Sequence, residues 1–216
     1  MEDYISNLIR QYLKEKIDIA QNIDIESINV LCEKIIKCFD EDGTVFLSAN
    51  GGPVGAIESF ATDLRIHPFV LEDKSITTNI PRLKVISLVE SSSMLSGISN
   101  DLGYEMVFVE QLKNFLRQGK NINDVYISFS GSGNSKNIIN SIEMAKTYGV
   151  FCSCISGRDG GKAKNIANNC IIVPGSSKFP GQTGKNDNNF HIEDFQTSIT
   201  HMITGILKDH VLKKLS

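Results

Sequence analysis

The sequence predicts an α/β domain whose parallel sheet is covered by helices on both faces, and three observations carry that prediction. Short apolar, β-branched runs alternate along the chain with longer stretches of helical spacing. Several of those runs end in loops of Ser, Gly and Asn, as strands do when their carboxyl ends face a ligand. The 216 residues, 41% of them hydrophobic and 22% charged, are enough for one such domain with a full core.

Residues 2–21 place Ile5, Leu8, Ile9, Tyr12, Leu13 and Ile17 at helical spacing. A second helix starts at Asp24-Ile-Glu-Ser27, carries Ile28, Leu31, Ile35, Ile36 and Phe39, and stops at Asp42-Gly43. Residues 1–43 are therefore read as an N-terminal helical segment that packs on the domain and on partner subunits, with 44–216 as a single structural unit. Thr44–Ser48 is the first strand, followed by Asn50-Gly-Gly-Pro53 and a helix near Val54–Leu64. Arg65 to Arg82 lacks periodicity and reads as a long connection. Leu83–Val89 is the second strand, and Glu90-Ser-Ser-Ser93 leads into a short helix ending at Asn100-Asp-Leu-Gly103. Tyr104–Arg117 reads as one amphipathic helix. Val125–Phe129 is a buried strand, Val150–Ile155 the next, and Cys170–Val173 the last, with a short helix near Lys162–Ala167 between them. Pro174–Asn189 reads as a lid or a disordered loop, and Ile192–Leu215 as a closing helix.

The net charge of −3 argues against a general nucleic-acid or membrane-surface role, which favours a basic patch. The N-terminus is acidic and no apolar run approaches membrane-spanning length, so the chain is read as cytoplasmic. Its cysteines, Cys32, Cys38, Cys152, Cys154 and Cys170, contain no C-x-x-C pair and fit buried, reduced thiols.

The stretch Ser130-Gly-Ser-Gly-Asn-Ser135 lies between a buried strand and a helix that starts at Lys136. There glycines admit a ligand, backbone N–H groups converge, and the helix dipole adds positive charge. Ser130, Ser132 and Ser135 each add a hydroxyl donor. The stretch is a phosphate cradle, in preference to a flexible turn with Ser135 as a plain cap.

Asn50-Gly-Gly52, Asn100-Asp101-x-Gly103, Ser130–Ser135, Gly157-Arg-Asp-Gly-Gly161 and a terminal helix with His201 stand in the order of a sugar isomerase (SIS) domain. Over nearly its whole length the chain resembles the phosphoheptose isomerases, which interconvert sedoheptulose 7-phosphate and a heptose 7-phosphate. The resemblance implies a five-stranded parallel sheet, N-terminal helices that contribute to oligomer packing, and a homotetramer with shared active sites. It implies that Ser130, Ser132 and Ser135 bind the substrate phosphate, that Asn50 and Gly51 lie near the sugar, and that Glu193 belongs to the same binding set. It assigns acid–base roles in an enediol mechanism to Asp63 and His201. Where the family carries a metal-ligand histidine, a glutamate four residues on, and a glutamine, this chain has Ser59, Asp63 and Glu193. A metal site of Asp63, Glu193 and His201 is thus carboxylate-rich and short of nitrogen, and zinc is expected only if that set suffices. Two other readings remain at this point: an isomerase for a different phosphosugar, and an altered SIS module that binds a sugar phosphate or a protein partner without turning it over.

Overall fold

The structure, a computed structural model, describes residues 2–182 and 187–215. Helices α1 (Glu2–Asn22) and α2 (Ile25–Asp40) precede β1 (Thr44–Ala49) and α3 (Pro53–Ile66). Then come β2 (Lys84–Ser87), α4 (Ser92–Leu102), α5 (Val107–Leu112), β3 (Val125–Ser130) and α6 (Lys136–Thr147). The chain continues through β4 (Phe151–Gly157), α7 (Ala163–Ile166) and β5 (Asn169–Val173) to α8 (Asn189–Lys213).

The five strands form one parallel sheet in the order β2-β1-β3-β4-β5. From β1 the chain steps outward to β2 and then returns past β1 to β3, so the winding direction reverses between β1 and β3. A sheet wound this way opens a crevice at the carboxyl ends of those two strands. The register places Ala49 beside Phe129, so the Asn50 loop and the Ser130 turn leave the sheet side by side.

Every residue of β3 is buried, as a central parallel strand requires. Below the crevice the Tyr126 hydroxyl meets Ser48 Oγ at 2.5 Å and Ser141 Oγ at 2.6 Å, joining β1, β3 and α6 through a buried polar contact. Ile28, Leu31, Cys32, Ile35 and Cys38 of α2 belong to the main core, so this helix is part of the sheet's cover. Its start is capped by Asp24, whose carboxylate accepts from the Glu26 and Ser27 N–H groups. All five cysteines are free thiols; burial pushes those of Cys32 and Cys38 up to about 11 and about 12.

Three expected elements differ. The helix over Tyr104–Arg117 is instead a 3-10 turn at Tyr104–Met106 followed by α5, which ends at Leu112. Asn114 Nδ2 donates to the Glu110 and Gln111 carbonyls, and the Arg117 guanidinium donates to those of Lys113, Asn114 and Leu116. Side chains thus occupy the carbonyls that a longer helix would use. The second strand shrinks to Lys84–Ser87 at the sheet edge, where Arg65 Nε and Nη2 donate to the Val85 carbonyl. The first residues of 65–82 extend α3 to Ile66 and add a 3-10 turn at His67–Phe69.

In the stretch expected to be a lid, residues 183–186 lie outside the described residues, while the flanking parts are tied down by α1. The Glu15 carboxylate accepts from Ser177 Oγ at 2.6 Å, the Lys178 N–H at 3.0 Å and Gln11 Nε2 at 3.1 Å, and it pairs with His191 Nε2 at 2.8 Å. His191 stacks on Tyr12, whose hydroxyl donates to Asp194 at 2.6 Å. Beyond this clasp, Ile5, Ile9, Leu13 and Ile17 of α1 form a stripe in which each residue is more than half exposed.

Burial works to raise the Glu15 carboxyl, but the Ser177, His191, Lys178 and Gln11 hydrogen bonds overcome it and take the group from 4.5 down to about 2. A folded value below the unfolded one means the clasp contributes its full stability above about pH 4.5 and loses it as pH falls toward 2. Urea titrations across that window are expected to show stability falling with acidification, and Glu15→Gln to flatten this part of the profile while lowering stability at neutral pH.

Candidate active site

The crevice between β1 and β3 is walled by three loops. The turn after β3 runs from Ser130 to Ser135 and delivers the chain into α6. Ser135 occupies the N-cap position with extended backbone (φ −62°, ψ 126°), yet its side chain does not cap the helix. A plain capping serine would bond an N–H of the first turn; here the Ser135 hydroxyl makes no such bond, and the Ile138 N–H of that turn donates to Asn137 Oδ1 at 3.0 Å. Within the turn, Ser130 Oγ accepts from the Gly133 N–H at 3.0 Å and Ser132 Oγ from the Asn134 N–H at 3.3 Å, so each hydroxyl keeps its proton for donation.

The turn is held from beneath by the loop after β4. Gly157 N–H donates to the Gly131 carbonyl at 3.2 Å, Ala163 N–H to that of Gly133 at 3.0 Å, and Lys162 N–H to Asn134 Oδ1 at 3.0 Å. Arg158, in the left-handed region at φ 57°, brings a guanidinium to a cavity lined by Ser132, Asn134, Asp159 and Gly175. Its Nη2 donates to Asn189 Oδ1 at 3.2 Å and lies 3.7 Å from Asp187. A fixed cation thereby joins the N–H groups beside the turn.

Asn50 is locked to the far wall. Its Nδ2 donates to Asn137 Oδ1 at 2.9 Å, and Asn137 Nδ2 returns the bond at 2.8 Å. Tyr104 donates its hydroxyl to Asn50 Oδ1 at 2.7 Å. Asn137 and Tyr104 belong to the site although the sequence reading passed over both. Asn137 is 87 positions from its partner, and one asparagine in a helical stretch carries no signal of its own.

Glu193 reaches the crevice from the second turn of α8. A methyl group on Gly52 would lie 2.4 Å from Glu193 Oε1, so the carboxylate rests directly on the backbone at the start of α3. Burial and the neighbouring Asp194 carboxylate push its carboxyl above the usual range. Gly51, at φ 64°, takes the turn that brings this backbone to the crevice.

Asp63 and His201 are brought together, with Oδ2 and Nε2 4.0 Å apart, but away from that crevice. Asp63 does not pair with Arg65, whose Nη1 binds Glu90 at 2.6 Å. Glu193 meets the start of α3 and His201 meets its end, so α3 and α8 run parallel. Eight residues of α8 put His201 about 12 Å beyond Glu193 along the axis. Within one chain the residues thus form two groups: Asn50, Gly51, Glu193 and the serine turn in one, Asp63 and His201 in the other.

The metal set is split in the same way. Among the described residues, no group of three or more His, Cys, Asp or Glu side chains is placed to hold an ion. Ser59 offers only a hydroxyl, and His201 is the one imidazole of the expected set. These residues do not fit a zinc ion within a chain, and no step below runs through one.

Sheet order, switch-point crevice and the hydroxyl-lined anion turn together define a protein of the sugar isomerase (SIS) class. Over 205 residues the chain is 30% identical to a phosphoheptose isomerase of Helicobacter pylori (strain P12), covering 95% of this chain and 93% of that one. Over 179 residues it is 32% identical to the phosphoheptose isomerase of strain HPAG1, covering 83% and 81%. The phosphoheptose isomerase structure from Francisella tularensis superposes with a TM-score of 0.75 at 20% identity, over 96% of this chain and 97% of that one, which shows a shared fold. No protein-family model matches the chain. The chain belongs to the phosphoheptose isomerase family.

Asn137→Asp tests the assignment of the anion turn. The substitution is isosteric and still accepts the Ile138 N–H, but it sets a carboxylate in the first turn of α6 and removes the donor to Asn50. Inorganic phosphate binding, followed by calorimetry, is expected to weaken at least about tenfold with the fold intact.

Proposed function

We propose that this chain is an aldose–ketose isomerase for a phosphorylated sugar, of the kind that interconverts sedoheptulose 7-phosphate and a heptose 7-phosphate. The observation that carries the reading is the turn Ser130–Ser135, whose Ser135 hydroxyl does not cap the helix, locked to the Asn50 loop by the Asn137 amide pair. One wall holds the phosphate, and the other runs along the sugar.

The reaction removes a proton from the carbon beside a carbonyl, forms an enediol, and returns the proton to the neighbouring carbon. The phosphate is gripped by N–H groups, serine hydroxyls and the Arg158 guanidinium, which fixes the reacting carbons at a set distance from the turn. Asp63 serves as the base and His201 as the proton donor to the oxygens, with Oδ2 and Nε2 4.0 Å apart. Because these two stand apart from the crevice of their own chain, they act on a substrate held by a neighbouring subunit. The exposed α1 stripe of Ile5, Ile9, Leu13 and Ile17 supplies apolar surface for that assembly, a homotetramer with shared sites. Reduced thiols and a phosphorylated metabolite both suit the cytoplasm.

Assay of sedoheptulose 7-phosphate conversion tests the reading. Turnover is expected in the parent protein, with Asp63→Asn and His201→Ala each lowering kcat by roughly a hundredfold or more while phosphate still raises the Tm. Phosphate-dependent stabilisation with no turnover in the parent protein would overturn it. Leu13→Asp is expected to dissociate the assembly, seen by sedimentation, and to lose turnover with it.

A further inference from the structure

The hydrogen-bond polarity around Asn50 is dictated by one backbone amide. The Ile138 N–H donates to Asn137 Oδ1 at 3.0 Å, and an amide N–H can only donate. That contact fixes which end of the Asn137 side chain is oxygen. Asn137 Nδ2 is therefore the donor toward Asn50, and the atom receiving it at 2.8 Å is Asn50 Oδ1. Asn50 Nδ2 completes the pair at 2.9 Å. The Tyr104 hydroxyl, 2.7 Å from the same Asn50 oxygen, faces an acceptor and must commit its one proton there.

Two consequences follow for a ligand in the crevice. Asn50 has both lone pairs of Oδ1 engaged and one Nδ2 proton committed, so its side chain offers at most one donor. Tyr104 offers only lone pairs, and donating to an amide makes its oxygen a better acceptor. The residue is 53% exposed. It is carried on the 3-10 turn that follows Gly103, beside α6, where Asn140 Nδ2 donates to the Glu105 carbonyl at 3.3 Å. An acceptor at this point matches a sugar hydroxyl, which always has a proton to give; it does not match a second anionic oxygen.

We infer, resting on the phosphosugar reading above, that Tyr104 is a sugar-contacting residue: its phenol oxygen accepts a hydrogen bond from a hydroxyl of the phosphorylated polyol chain. Asn137 is the positioning residue that sets this polarity. The phosphate turn then supplies affinity for any phosphate ester, and Tyr104 adds discrimination in favour of an ester with a hydroxylated chain reaching past Asn50.

The test compares the dissociation constants of inorganic phosphate and sedoheptulose 7-phosphate by calorimetry, in the parent protein and in Tyr104→Phe. The ratio of the two constants is the increment due to the sugar. Tyr104→Phe is expected to leave phosphate affinity unchanged and to cut the sugar increment roughly three- to tenfold. KM should rise by a similar factor, with kcat little altered. An unchanged increment would overturn the inference. So would an equal loss of phosphate and sugar-phosphate affinity, which marks a merely structural tyrosine. If the parent protein binds the sugar ester without converting it, the isomerase reading falls while the increment still decides the role of Tyr104. If it binds the ester no better than phosphate, both fall.

Discussion

How closely the exit of β3 can lie against the exit of β4 governs the carboxyl edge of this sheet. A methyl group on Gly133 would sit 2.0 Å from the Gly160 carbonyl oxygen, and one on Gly161 would sit 2.4 Å from that of Ser132. Both glycines also hold positive φ, at 65° and 54°, where a side chain is strained even in open space. The two turns are in backbone contact, and the N–H groups of Gly157, Lys162 and Ala163 bond across to the Gly131–Asn134 turn. A cradle for an anion depends on this buttress, because N–H groups that must reorganise on binding lose the advantage of being aimed in advance. The net charge of −3 is no obstacle. Positive potential is made locally, from dipoles and one guanidinium.

The crevice is tied from below as well. Tyr126, fully buried, links Ser48 of β1 to Ser141 of α6 through its hydroxyl. Above it the Asn50–Asn137 pair links the loop after β1 to the same helix. Two polar contacts, one inside the sheet's cover and one at its rim, thus fix α6 against β1. That restrains the separation of the Asn50 loop and the serine turn, the two walls of the crevice.

Much of this was legible in the sequence, for reasons particular to each element. Alternating apolar runs and helical stripes pointed to the layered sheet, and the serine–glycine stretch marked the turn between β3 and α6, because both signals are local. The end of the helix at Leu112 was not legible. It depends on Asn114 and Arg117 turning their side chains back onto carbonyls; Arg117 is at home in a helix interior, and a single asparagine is only a weak stop signal. The clasp of α1 on the segment before α8 was invisible for another reason: Glu15 meets Ser177 and His191 across 162 and 176 positions, and nothing in either neighbourhood marks the partner. The amide pair of Asn50 was hidden in the same way.

The separation of Asp63 and His201 from Glu193 follows from one feature of packing. Parallel helices keep their residues in step, so a carboxylate at the start of α8 faces the start of α3, and a histidine two turns later faces a residue near its end. Backbone positions about 12 Å apart along one axis set the two side chains at different levels of α3. Within one chain, then, the Glu193 carboxylate meets the start of α3 and the Asp63–His201 pair lies near its end, so the residues at the two ends of α8 serve different places on the surface.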